Sequence, residues 1–270
     1  MIKLSSFAFS VLLIQSCTIG IIIDRSSAKP LLQKIATTPH QSANSVKLKS
    51  EIVRWHSGKK GSAEYREAIV RYPIVIGLQN LTVLRKVQTA LSLKAIVGQS
   101  SLTEFQQDSS LTDLSYAINY NQNSILDLTY TISSMGVYPS TSKKWVSIDL
   151  ISGNILQAKD IFKADDHTAL AQLIDKIMQQ EIQANMIQII RDIPDLKPQL
   201  PGMFAEHHFR PKDLNNLTID KKGVTFHYNF DFAHALKAVE PSGAYFISYE
   251  KLSRYIRPDG VIGFALGQRK

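Results

Sequence analysis

The chain contains 270 residues, of which 44% are hydrophobic and 20% are charged, a balance that supports a folded protein with a substantial core. Its formal net charge of +8 favours anionic surroundings, such as acidic polysaccharide or phospholipid headgroups. The basic residues form scattered pairs that do not alternate with aromatic residues, so we expect no nucleic-acid partner.

The N-terminal segment 4–23 carries no charge and follows a lysine, a pattern that predicts an export signal. Three outcomes stay open. Small residues at 26–28 would allow cleavage before Lys29, the lipobox-like segment 14–17 would place a lipid on Cys17, and an uncleaved run of 20 residues could span a bilayer. Each outcome predicts a periplasmic or extracellular protein that meets a membrane only through this N-terminal anchor.

The single cysteine, Cys17, lies inside this segment, so the exported part has no disulfide and no cysteine nucleophile or zinc ligand. Residues 1–28 are therefore predicted to be a signal peptide or membrane anchor, and the polar, proline-containing residues 29–50 a linker. The rest divides into an N-terminal α+β module at 51–140, a C-terminal module at 141–257 and a tail at 258–270.

The hydrophobic patterns predict an α+β fold, in which an antiparallel meander sheet packs with a long helix within two intimately associated modules. Alternating apolar and polar residues indicate strands, and apolar residues at helical spacing indicate helices. The strand-like segments are 46–76, 111–119, 125–132, 145–151, 217–220, 224–230 and 244–247, and the predicted helices are 80–97, 167–192 and 249–256.

The most informative segment is 145–162, which combines a strand, a turn and the approach to a long helix. Val146, Ile148 and Leu150 alternate with polar residues, as expected for a half-buried strand. Gly153 then allows a turn, because glycine adopts positive φ without steric cost.

Signals for catalysis are sparse in this sequence. It contains no nucleophile elbow of the Gly-x-Ser-x-Gly type, no phosphate loop and no dinucleotide fingerprint. The adjacent His207 and His208 point in different directions on any regular element, so they are poor joint metal ligands, although Glu206, Asp213 and His227 or His234 could complete a site in three dimensions. We therefore predict no enzyme activity, no metal and no cofactor.

Short motifs with a characteristic order and spacing stand at 119–121, 125–128, 136–140, 147–153, 160–162, 223–228 and 247–252. Together they resemble the RsiV-like ectodomain family, a domain of unknown function found in lysozyme-sensing anti-sigma factors. The preceding segment 72–80 resembles the non-catalytic N-terminal module seen in a peptidoglycan deacetylase. The resemblance covers about residues 64–257.

This resemblance implies an exported, non-catalytic cell-envelope binding module that recognises cell-wall glycan or a secreted wall-active protein. Alternatives are an enzyme or enzyme accessory acting on wall polymer, and a structural or stress-response envelope protein. Lysozymes are commonly basic, so the positive net charge disfavours lysozyme itself as the partner. Aromatic and basic residues beside the meander suit sugar stacking or protein anchoring, and the candidate binding residues are Tyr138, Lys143, Lys144 and Trp145.

Overall fold

The computed structural model describes residues 45–57, 66–98, 110–136 and 138–266, all of which belong to one compact unit, Pro39–Lys270. The predicted export segment, the lipidation candidate Cys17 and most of the 29–50 linker lie outside the described residues. Within the described ranges, no helix is both long and apolar enough to cross a bilayer.

Two β-sheets form the framework of the protein. The first contains β1 (Lys47–Ser57), β2 (Arg66–Ile76), β3 (Leu111–Gln122), β4 (Ile125–Met135) and β5 (Pro139–Asp149), and the second contains β6 (Leu217–Ile219), β7 (Gly223–His227) and β8 (Ala244–Ser248). The strands of each sheet lie side by side in chain order. Neighbours are antiparallel except β2 and β3, which pair in parallel across a connection that contains helices.

The helices lie in the connections between strands, except the last two, which follow β8. They are α1 (Leu81–Ala90), α2 (Leu93–Val97), α3 (Ala158–Ile161), α4 (His167–Asp192), α5 (Leu200–Phe204), α6 (Tyr249–Leu252) and α7 (Val261–Ala265). Short 3₁₀ helices lie at Ala164–Asp166, Pro194–Leu196, Pro211–Asn215 and His234–Val239. The long predicted helix 167–192 is confirmed as α4, whereas the predicted 80–97 helix is two helices. It divides because the Ser92 hydroxyl accepts the N–H of Ala95 and begins α2.

Each sheet has its own hydrophobic core. On one face of the five-stranded sheet, α1 and α2 pack against a cluster that includes Val83, Val87, Leu126, Leu128 and Tyr130. The long helix α4 buries its apolar side mainly with the three-stranded sheet, in a cluster that includes Leu170, Ile174, Met178, Phe226 and Ile247. The α+β class predicted from the sequence is confirmed.

Several predicted boundaries fall inside regular structure. Strand β1 begins at Lys47, within the predicted linker, and the predicted tail 258–270 contains α7. The division between 140 and 141 lies within β5, which pairs with β4 along its whole length. The turn expected at Gly153 is present, with a φ of 75°.

Candidate functional site

The five-stranded sheet has a polar face on the side opposite α1 and α2. Because Leu128 and Tyr130 point into the core, the alternating residues of β4 point away from it. Directly paired residues share a face, so this side extends to the neighbours of Thr129, Thr131 and Ser133 on both flanking strands. We call this surface the open face and define it by Ser115, Ala117, Thr129, Thr131, Ser133, Thr141, Lys143 and Trp145, all half-buried or exposed.

Charged residues continue the open face onto β1 and β2. Arg71 pairs with Asp113 at 3.4 Å, and Arg54 pairs with Glu67 at 3.3 Å. Lys143 takes part in none of the ion pairs formed within the described ranges, so its charge is available to a ligand. The open face therefore combines hydroxyl groups with one uncompensated cation.

An aromatic stack lies where the open face meets the second sheet. The rings of Trp145 and His227 lie parallel, with centroids 4.0 Å apart, and join β5 to β7 of the second sheet. His227 Nε2 lies 3.1 Å from the Thr218 hydroxyl. Burial, together with the smaller effect of the nearby positive charge of Lys143, lowers the pKa of His227 to about 4. The imidazole is therefore neutral at physiological pH.

The lowered pKa of His227 predicts a loss of stability in mild acid. Between pH 6.5 and 4 the unfolded chain binds a proton at this residue and the folded chain does not, so stability falls as the pH drops through that range. For this half-buried group we expect the loss to be about 1 kcal/mol at pH 5 relative to pH 7. The variant His227→Phe keeps a ring against Trp145 but has no group that titrates there. Urea denaturation at pH 5 and pH 7 should therefore show a smaller loss of stability in this variant than in the wild-type chain. An identical pH dependence in both proteins would contradict it.

The buried carboxylate of Asp127, which lies on the same side of β4 as Thr129, joins the two sheets. Asp127 is fully buried on β4, where Asn119 Nδ2 donates to its Oδ1 at 2.6 Å. Its Oδ2 accepts the hydroxyl of Ser147 and, at 3.0 Å, the N–H of Ile219 on β6. Burial raises the pKa of Asp127 to about 7, while these hydrogen bonds act in the opposite direction. The residue thus connects β3, β4 and β5 to β6.

The predicted binding residues do not share one surface. Lys143 and Trp145 lie on the open face, whereas Lys144 points to the other side and donates to the carbonyl oxygens of Ala95 and, at 3.3 Å, Ile96. Lys144 therefore satisfies the C-terminal end of α2. Tyr138 lies in the β4–β5 turn with 60% of its surface exposed.

Sequence reasoning missed Asp127 and His227 as parts of this region. The sequence gives Asp127 no distinguishing motif, and it indicates His227 only as a member of a weak metal-ligand set. Alternation along β4 places Asp127 on the same side as Thr129, but its partner on β6, Ile219, is 92 residues away in the chain. Within the described ranges, no group of three acids, histidines or cysteines is placed to hold a metal ion.

Fold and site together define an α+β protein of two sheets, with a carboxylate at their junction and a polar open face. No known family profile matches the sequence, and no curated protein matches it. The crystal structure of a DUF3298 family member from Bacteroides fragilis NCTC 9343 is similar, with a TM-score of 0.56 at 14% identity, over 83% of this chain and 98% of that chain. This likeness shows a shared fold.

A second similar structure is a DUF3298 family protein from Pseudomonas aeruginosa PAO1. Its TM-score is 0.46 at 11% identity, over 79% of this chain and 95% of that chain. Both structural neighbours thus belong to a family named as a domain of unknown function.

Proposed function

We propose that this protein is an exported, non-catalytic binding module of the cell envelope and that it recognises cell-wall glycan on the open face. The observation that carries the proposal is the row of hydroxyl groups, half-buried except for the exposed Thr141, beside the uncompensated charge of Lys143. The resemblance to the RsiV-like ectodomain family and the N-terminal export pattern support the envelope location. The fold shared with a DUF3298 family structure is consistent with this resemblance.

The chemistry of the open face suits a hydrated, anionic glycan. Hydroxyl side chains both donate and accept hydrogen bonds, directly or through water, as sugar hydroxyl and acetamido groups require. Lys143 supplies a charge for a carboxylate, and a net charge of +8 favours approach of an acidic polymer. Five strands at about 4.8 Å spacing give a surface about 20 Å wide, enough for several sugar rings.

The most strongly perturbed titratable groups nearby support binding rather than catalysis. The carboxylate of Asp127 is fully buried and accepts hydrogen bonds from three donors, of which the N–H of Ile219 links the two sheets. His227 is engaged by the Trp145 ring and by Thr218. Both groups are occupied by contacts within the protein, so neither is placed to exchange a proton with a ligand on the open face.

A secreted wall-active protein is the second candidate partner. The half-buried Trp145 beside Lys143 provides an aromatic and charged pair of the kind that anchors protein interfaces. The polar composition of the remaining open face favours the glycan, because the centres of protein interfaces are depleted in polar groups.

Replacing Lys143 with glutamine should weaken binding of the exported chain to purified peptidoglycan about fivefold, corresponding to the loss of about 1 kcal/mol. The matched control is Lys144→Gln, which removes the same charge from the adjacent residue on the opposite face and should leave binding unchanged. A cosedimentation assay in low and high salt measures both effects. Equal binding by all three proteins would exclude the open face as the glycan site.

A further variant separates glycan from protein recognition. Thr131→Tyr places a large side chain in the centre of the open face, where it should block a glycan lying across the strands. If this variant still binds peptidoglycan but no longer captures a secreted protein from envelope extract, the second candidate partner replaces the first.

A further inference from the structure

A second polar cavity lies outside the open face, beside Tyr228 at the end of β7. We call it the Tyr228 pocket. It has a volume of about 300 Å³, and its lining includes Glu206, His208, Arg210, Lys212, Tyr228 and Asn229. None of these residues belongs to the open face, so the cavity is separate from that surface. A volume of this size is at the lower end of the range for ligand pockets and suits a small molecule.

The acids around the Tyr228 pocket are largely occupied by the protein itself. The carboxylate of Asp213 accepts the N–H of Arg210 at 2.8 Å and begins a 3₁₀ helix. Asp175, just behind the pocket, accepts the N–H of Phe209 at 2.8 Å, and its second oxygen lies 3.5 Å from His208 Nδ1. Glu206 also lines the pocket, but its carboxylate makes none of the hydrogen bonds or ion pairs found within the described residues.

The donors of the pocket remain available. Across the described part of the chain, the side chains of Arg210 and Lys212 enter no ion pair. The carbonyl oxygen of the Asn229 side chain accepts the N–H of Asp231 at 3.2 Å, which leaves its amide hydrogens for a ligand. The phenol of Tyr228 is held 3.2 Å from His207 Nδ1, so its position is fixed. The pocket therefore has more free donors than acceptors.

The support beneath the pocket is rigid. His207 packs among the rings of Phe204, Phe230 and Phe232, with centroid distances of 5.1 to 6.5 Å. The rings of His207 and Tyr228 meet edge to face at 5.9 Å. Aromatic contacts of this kind restrict side-chain motion, which lowers the entropic cost of ligand binding.

We propose that the Tyr228 pocket binds a small oxyanion ligand, of monosaccharide or amino-acid size, through Arg210 and Lys212. The guanidinium of Arg210 suits two-point contact with a carboxylate or phosphate, and Lys212 adds a second positive charge. The Asn229 amide donates to the remaining polar atoms of the ligand, and the Tyr228 ring borders the site. Glu206 limits the affinity by repelling the anion.

Titration calorimetry of the exported chain with N-acetylmuramic acid and with inorganic phosphate tests this site. We expect saturable binding, weakened about tenfold in Arg210→Gln and strengthened several-fold in Glu206→Gln, because these changes remove an attractive and a repulsive charge. Lys197→Gln, an exposed lysine outside the pocket, is the matched control and should bind normally. Tighter binding of the sugar acid than of phosphate identifies the carboxylate source, and the reverse identifies a phosphate.

Unchanged binding in Arg210→Gln, weaker binding in Glu206→Gln, or no saturable binding of either probe would overturn the proposal. Circular dichroism confirms that each variant is folded. Lys143→Gln on the open face should leave this binding intact, so failure here is distinguishable from failure of the glycan proposal.

Discussion

Replacing Asp127 with alanine should lower the free energy of unfolding by about 3 kcal/mol, because the change leaves several buried donors without an acceptor. The carboxylate is fully buried and accepts hydrogen bonds from Asn119, Ser147 and Ile219. Asp127→Asn keeps the size and one acceptor oxygen, so we expect a smaller loss of about 1 kcal/mol. Urea denaturation measures both variants. A loss below 1 kcal/mol in the alanine variant would show that Asp127 does not join the sheets energetically.

The same residue should make stability depend on pH in a defined direction. The folded pKa of about 7 exceeds the ordinary value of 3.8, so the folded chain binds the additional proton between these values. The contribution of Asp127 to stability is therefore largest near pH 4 and falls by roughly 2–3 kcal/mol as the pH rises towards 7. The difference between the wild-type chain and Asp127→Asn isolates this component, because the opposing contribution of His227 is present in both.

Replacing Gly223 with alanine should destabilise the protein by about 3 kcal/mol or more, because β7 and β8 leave no space for a side chain there. A Cβ at this position would overlap the carbonyl oxygen of Ile247 and lie 2.9 Å from both the Phe246 ring and the Cα of Ser248. The obstruction is mostly backbone within a paired strand, so it cannot move without breaking the ladder between Gly223 and Ser248.

The control for this prediction is Gly202→Ala in α5. A Cβ at Gly202 meets no atom within 4 Å, and alanine favours helix, so this variant should be as stable as wild type or slightly more stable. Thermal unfolding of the two variants gives the comparison. Similar midpoints for both would mean that β7 and β8 separate far enough to admit a methyl group.

Local patterns were sufficient to predict much of the fold. Alternation along 125–132 predicted most of β4, and apolar spacing predicted the limits of α4, whereas the pattern at 145–151 predicted only the second half of β5. The turn predicted at Gly153 is stabilised by Asp149, whose carboxylate accepts the N–H of Ile151 at 2.9 Å and of Ser152 at 3.2 Å. These features depend on neighbours within a few residues, which a sequence displays directly.

The candidate site was harder to predict from the sequence, because it depends on which face of the sheet each side chain occupies and on which residues of other elements pack against it. Lys143 and Lys144 look alike in sequence, yet the pleat of β5 sends one to the open face and the other to α2. Tyr138 was grouped with them by proximity in the chain alone. The pairing of Trp145 with His227 joins residues from separate sheets, and no local pattern predicts such a contact.

The hydrogen bond between Asp127 and Ile219 also indicates which part of the protein unfolds last. The amide of Ile219 lies in the short outer strand β6, where fraying would normally allow rapid exchange of its hydrogen with solvent. Its hydrogen bond to a fully buried carboxylate of the other sheet removes that freedom. We therefore expect the hydrogen of the Ile219 amide to exchange with solvent as slowly as the amide hydrogens at the centre of β4. Its exchange rate would then measure how often the two sheets separate.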